Sequence, residues 1–349
     1  MDTRKINILN AIIEAYIDMP TPVGSRTLSK DYNLGVSSAT IRNEMADLED
    51  LGFLNKPHQS AGRIPSDKAY RFYVDELFKN FNSFHDLEAS QKIMERLLFT
   101  SRNHEEFYKN AVNLLANVSS CTAYLITPQK ADTKIKRLTL VKLDEYTALL
   151  VLIGDKGVIE KYFLEIENIP DEDFYLIEKV LNEKISGIDF SEIESLKISL
   201  SDDYIRHGKF ISDIVKIASQ FNKKVSSIDI YYDGLTNILN FDEYKDLDKA
   251  RDFMNLVEDR DSLFQILKND NITSDVEVII GAENSASLMK ENTIIRAPFA
   301  KENKIYGSIG LIGPVRIDYM RLVKVVKIFS DAVKSGLKEM WGSTWRMKI

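Results

Sequence analysis

The chain holds a single cysteine, Cys121, so it has no internal disulfide framework, and that usage is expected of a reducing, cytoplasmic setting. Histidine is almost as scarce. His58, His85, His104 and His207 lie far apart, none pairs with another at ligand spacing, and Cys121 has no companion thiol; no metal site is expected. No apolar run approaches the roughly 18–20 residues of a membrane-spanning helix. The segment Met1-Asp2-Thr3-Arg4-Lys5 lacks the apolar core of a signal peptide, so no membrane association is expected. An excess of positive charge is also missing. The formal net charge is −7, which excludes coating nucleic acid by bulk attraction and requires any DNA contact to be local. What is present is ordinary for packed cores: 44% hydrophobic and 28% charged residues over 349 positions, enough for two or three domains.

The stretch from Val36 to Arg71 carries the chemistry. A helix starts at Ser37 or Ser38, where a serine hydroxyl can accept a free first-turn amide. Ile41, Met45, Leu48 and Leu51 then form an inward stripe. The first turns present Ser37, Ser38, Thr40, Arg42 and Asn43, which suit phosphates and base edges. The later turns carry Glu44, Asp47, Glu49 and Asp50, which DNA repels, so the helix is expected to meet a major groove with its N-terminal end. Gly52 ends the helix, and a two-stranded hairpin follows, Phe53–Pro57 and Ile64–Ser66, with Gly62 expected at positive φ in the tight turn. Lys56, His58, Ser60 and Arg63 sit in that hairpin, Arg63 against phosphates or in a minor groove.

Two helices precede this segment. The first is capped by Thr3 and turns Ile6, Leu9, Ile13, Tyr16 and Ile17 inward; the second, Ser25 to Tyr32, puts Leu28 inward and Arg26 and Lys30 outward. Three helices and a hairpin make a winged helix-turn-helix. Arg42 and Asn43 are the expected base readers, with Arg26, Lys30, Lys56 and Arg71 as electrostatic supports. A serine-capped amphipathic helix is common by itself; the basic glycine hairpin directly after it is what favours DNA.

Downstream, Ser66 caps a fourth helix to about Asn80, rich in Tyr70, Tyr73, Val74, Leu77, Phe78 and Phe81, and 80–84 is the linker candidate. Two helices fill 86–118. Strands at 122–126, 135–142, 146–153 and 157–163 are read as one antiparallel meander laid on helices. Amphipathic helices in 166–224 interrupt strand-rich sequence and are read as an insertion. Strand character returns at 227–232, followed by a helical span at 242–269, strands at 276–280, 293–298 and 308–312, and a last helix at 318–337. Gly307, Gly310 and Gly313 do not have the spacing of a dinucleotide fingerprint and read as strand glycines at bulges. Glu243, Asp246 and Asp248 read as a solvated helix face. With no nucleophile–base or metal constellation, neither an enzyme nor a cofactor is expected.

The run His58-Gln59-Ser60-Ala61-Gly62-Arg63-Ile64-Pro65-Ser66-Asp67-Lys68-Ala69-Tyr70-Arg71-Phe72-Tyr73-Val74-Asp75 resembles the HrcA family of heat-inducible transcription repressors. Ser38 to Met45, Ile228 to Asn237, Ile279 to Asn284 and Gly307 to Tyr319 resemble further blocks of that family, in order along the chain. Ala69 stands where the family more often has glycine, which stiffens the start of the fourth helix. The resemblance implies an α+β chain: a winged helix-turn-helix at 1–80, a GAF-like antiparallel-sheet domain at 86–165 and 225–340, and an inserted dimerisation domain at 166–224. It also implies a homodimer on an inverted-repeat operator of the CIRCE type upstream of chaperone operons, with activity dependent on the GroE chaperonin. The alternative reading is a metabolite-responsive winged-helix regulator with the GAF-like domain as sensor.

Overall fold

Apolar residues at helical spacing set the first helices. α1 (Thr3–Asp18) is capped by Asp2, whose carboxylate accepts the Lys5 amide at 2.8 Å, rather than by Thr3. α2 (Ser25–Asp31) and α3 (Ser38–Asp50) follow, then a hairpin of β1 (Leu54–Asn55) and β2 (Ile64–Pro65), then α4 (Asp67–Lys79). Ile8, Leu9, Ile12, Ile13, Leu28, Ile41 and Leu48 are all fully buried between them. Leu51, expected inward, is 47% exposed because α3 ends there and Gly52 turns the chain at φ +77°. The hairpin strands are shorter than the alternation suggested.

The computed structural model describes residues 1–58, 61–79, 86–127, 134–154, 159–167, 169–188, 207–225, 229–267, 275–301 and 304–342. The linker candidate at 80–84 lies outside them, as do Ser60 and part of the strand expected at 157–163. The remaining elements, in chain order, are α5 (Leu87–Thr100), α6 (His104–Ser119), β3 (Thr122–Ile126), β4 (Ile135–Lys142), β5 (Thr147–Gly154), β6 (Ile159–Glu165), α7 (Asp171–Ile185), α8 (Gly208–Val225) and β7 (Ile230–Asp233). They continue with α9 (Leu247–Glu258), α10 (Arg260–Leu267), β8 (Glu277–Ile280), β9 (Asn292–Lys301), β10 (Lys304–Pro314) and α11 (Tyr319–Gly342). The chain is thus α+β, and it divides into two compact units: Met1–Thr127 with Ile230–Ile349, and Pro128–Asp229.

In the first unit an antiparallel sheet runs in the order β7-β3-β10-β9-β8. Ala123, Leu125, Ile295, Ala297, Ile309 and Leu311 share one face with the core that also holds α4, α5, α6 and α11. That core is continuous from Ile8 to Met340, so helices α1–α4 and the sheet are packed as one body. On the opposite face, register aligns Tyr124, Gly310, Arg296 and Glu277 in one row. Arg296, 3% exposed, donates from Nε to Glu277 at 2.7 Å and from a terminal nitrogen to the Leu267 carbonyl at 3.0 Å. Gly310 is a glycine because a Cβ there would lie 2.8 Å from the Tyr124 hydroxyl. Gly307 sits at a register shift between β9 and β10.

The second unit holds β4-β5-β6 with α7 and α8. This corrects the expected meander: β3 belongs to the other sheet, and the interruption begins near residue 128 instead of 166. The alternation identifies strands but not their partners. β3 is buried at every position, as a central strand covered on both faces must be, whereas β5 alternates strictly. One face of the small sheet, with Leu138, Leu150 and Leu152, packs on Ile177, Leu181, Ile211 and Ile214 of α7 and α8. The outer edge of β4 is closed by α7: Asn182 exchanges two hydrogen bonds with the Leu138 backbone at 2.8 and 2.7 Å, and Glu178 accepts the Leu140 amide at 2.9 Å. The expected helical span at 242–269 is broken between α9 and α10 at Asp259, whose amide bonds Asn255 while its carboxylate accepts from Ser262.

Candidate nucleic-acid interface

α3 begins at Ser37. Its hydroxyl accepts the Thr40 amide at 3.2 Å and shares a 3.0 Å hydrogen bond with the Thr40 hydroxyl, so both groups are engaged in the cap. Ile41, Met45 and Leu48 hold one face of the helix against the core. The opposite face exposes Ala39, Arg42, Asn43 and Ala46, at the i, i+3, i+4, i+7 spacing of a single stripe. Two small alanines flank two long polar side chains, which lets a backbone approach closely while Arg42 and Asn43 project. Neither has a hydrogen-bond or ion-pair partner among the described residues. Ser38 is half-buried at the same end.

The acidic turns of α3 are where the structure departs most from a linear reading. Glu44 is buried and lies 2.8 Å from the Lys5 ammonium and 3.7 Å from Arg4. Asp47 reaches the same Lys5 at 3.0 Å, and the two carboxylates hold that ammonium well above the usual lysine range. Glu49 is paired with Arg63 at 2.6 Å. Three of the four carboxylates expected to repel DNA are therefore neutralised from α1 and from the hairpin. Nothing local signals this, because Lys5 and Glu44 are distant in sequence.

Arg63 is corrected accordingly. Its guanidinium bridges the hairpin to α3 through Glu49, its backbone pairs with Val23 in both directions at 2.8 and 2.9 Å, and its side chain is 17% exposed. It fixes the hairpin and does not project as a minor-groove clamp. Gly62 is corrected too: it has no positive φ, and a Cβ there would lie 2.4 Å from the Val23 carbonyl oxygen, so close approach is what demands glycine. Arg71 is the third correction. Its fork grips Glu283, with Nε donating at 2.7 Å, and it also donates to the Val278 carbonyl at 2.6 Å. Its charge is committed inside the protein.

The side chains of Arg26, Lys30, Lys56 and His58 are exposed and have no polar partner among the described residues. Lys68, absent from the sequence-based set, donates to the Leu51 carbonyl at 2.7 Å and lies 4.6 Å from the Phe53 ring centroid, tying α4 to the end of α3. Among the described residues no group of three or more His, Cys, Asp and Glu side chains is placed to hold a metal ion, and no helix is long and apolar enough to cross a membrane.

Over residues 105–323 the chain matches the family model for the HrcA protein C-terminal domain. The heat-inducible transcription repressor HrcA of Caldanaerobacter subterraneus subsp. tengcongensis is 36% identical over 343 residues, covering 98% of each chain. The protein of the same name from Clostridium tetani is 37% identical over 345 residues, 97% of this chain and 96% of that one. A crystal structure of a hypothetical protein at 2.2 Å resolution shares the fold, with a TM-score of 0.66 at 24% identity over 97% of this chain and 99% of that one. The chain therefore belongs to the HrcA family of heat-inducible transcription repressors.

Proposed function

We propose that this chain represses transcription as a homodimer, each protomer placing the N-terminal end of α3 in a major groove of an inverted-repeat operator of the CIRCE type. In this reading residues 1–79 act as a winged helix-turn-helix and the five-stranded sheet as a GAF-like body. One observation carries it: the α3 tip offers Arg42 and Asn43 exposed and with no side-chain partner among the described residues, while three of the acids behind them are neutralised within the protein. Arginine suits guanine and asparagine suits adenine, each pair discriminating by ~1–3 kcal/mol. Arg26, Lys30 and Lys56 supply phosphate contacts. Dimerisation is supported by the second unit, where one face of the small sheet carries Val141, Leu149 and Phe163 in one cross-strand row and Ile153 beside Ile159 in another. Phe163 is 74% exposed there, an apolar surface suited to a second copy.

The test is a binding titration of the purified protein on a labelled inverted repeat from a chaperone promoter, against a scrambled duplex of equal length. Preference of at least ~10³-fold for the repeat is expected of a specific repressor; equal affinity for both duplexes refutes the reading. Dependence on GroE belongs to the same proposal. Heat-treated protein should regain operator affinity only with the chaperonin and ATP, and full recovery on cooling alone removes that part.

A further inference from the structure

One arginine fork and one arginine bond to a backbone carbonyl join residues 1–79 to the rest of the same compact unit. At one place, Arg71 on α4 grips Glu283, which lies in the turn after β8 and also accepts the Ile280 amide at 2.8 Å. Beside it, the Asp67 carboxylate accepts the Ala282 amide at 2.9 Å, seated where a Cβ on Gly281 would be 2.1 Å away; Gly281 itself is at φ +51°. At a second place, Arg316, between β10 and α11, is held in a fork by Glu243 at 2.7 and 3.1 Å. Its remaining nitrogen donates at 2.7 Å to the Ile17 carbonyl in the last turn of α1. Tyr70 also packs against Tyr319 with the rings tilted at 43° and centroids 5.6 Å apart, both buried.

Apolar packing is non-directional and tolerates sliding; charge-assisted hydrogen bonds fix an angle. We propose that the Arg71–Glu283 pair, and Arg316 held by Glu243 onto the Ile17 carbonyl, lock the α1–α3 head to the sheet and thereby set which half-site spacing the dimer accepts. The inference rests on the repressor reading above. Whichever surface joins the two copies, slack at this junction lets each α3 swing. Changing an operator spacer by two base pairs moves a half-site by roughly 7 Å and turns it by about 70°. Locked heads cannot follow that displacement, whereas released heads can.

The experiment compares the wild type with the Glu243→Gln/Glu283→Gln double variant, and with Gly281→Ala, which displaces Asp67 and strains the turn that presents Glu283 to Arg71. Affinity is measured on inverted repeats whose spacers differ by two base pairs. The wild type should lose about 100-fold on the altered spacer, and both variants less than 10-fold, with weaker binding to the optimal repeat. Were Arg71 instead a phosphate contact, freeing it would raise affinity on every duplex, and that result overturns the proposal. A readout without DNA accompanies it: spin labels at Ser29→Cys and Glu258→Cys, on exposed positions of α2 and α9, report the distance between head and sheet. A narrow distribution in the wild type that broadens in both variants supports the lock; equally narrow distributions overturn it. If the wild type shows no preference for the repeat, the repressor reading falls and the label distances alone decide the lock.

Discussion

Gly62→Ala tests how the hairpin is built. A methyl at this position meets the Val23 carbonyl oxygen at 2.4 Å and its carbon at 2.5 Å, both backbone atoms that cannot rotate away. Ordinary contact distance requires the two segments to separate by about 1 Å. The paired hydrogen bonds between Val23 and Arg63, 2.8 and 2.9 Å long, do not survive that separation. Each is worth ~0.5–1.5 kcal/mol net. Because Gly62 is not in the left-handed region, the stiffer unfolded chain of the alanine variant returns ~0.4–1 kcal/mol. The net loss therefore centres on about 1.3 kcal/mol, a factor of roughly 10 in the folded population. Urea unfolding measures the total, and amide hydrogen exchange locates it. The Val23 and Arg63 amides should lose protection while those of Leu125 and Ile309 in the large sheet drop only with global stability. An alanine variant within about 0.5 kcal/mol of wild type, with unchanged exchange at Val23, refutes the close-approach argument.

Further outcomes follow from other parts of the molecule. Arg42→Ala should relax sequence preference at one position of each half-site by ~1–3 kcal/mol, while Lys56→Ala should weaken all duplexes alike and lower the salt slope by ~2 for a dimer; titrations across operator variants and salt separate the two effects. Phe163→Asp should shift the protein from dimer to monomer in sedimentation equilibrium without changing its far-UV circular dichroism, and a dimer as tight as wild type counts against the sheet face as the interface. Burial pushes the Cys121 thiol up to about 12, so at pH 8 only ~10⁻⁴ of it is thiolate. Iodoacetamide should therefore modify Cys121 no faster than the protein unfolds, and its rate should rise with pH and with urea; labelling at the speed of a free cysteine contradicts the packing around β3.

Local signals carried much of this structure into the sequence. The Ser37 cap, the Gly52 stop, the Ile41–Met45–Leu48 stripe and the position of Leu28 are properties of one helix at a time, and the chain writes them out in order. Ile8 and Ile12 were missing from the expected α1 stripe because that helix is enclosed more widely than one row. Pairing across distance was not legible. β3 has the composition of the strands that follow it yet joins a sheet completed by residues 230–233 and 277–314. Arg63 and Arg71 look like DNA ligands because a cation beside a glycine hairpin has that appearance. Their carboxylate partners, Glu49 and Glu283, emerge only when the chain is folded. The same limit hid Lys5, the residue that neutralises Glu44 and Asp47 on α3.

Self-neutralisation of α3 has a consequence for how such a protein finds its site in a cell. Lys5, Arg63 and Arg71 answer the protein's own acids, so these cations are withdrawn from holding arbitrary stretches of chromosome. Under the proposed operator binding, non-cognate sequence then traps less of it, and fewer copies are needed to keep a rare target occupied amid a vast excess of competing duplex.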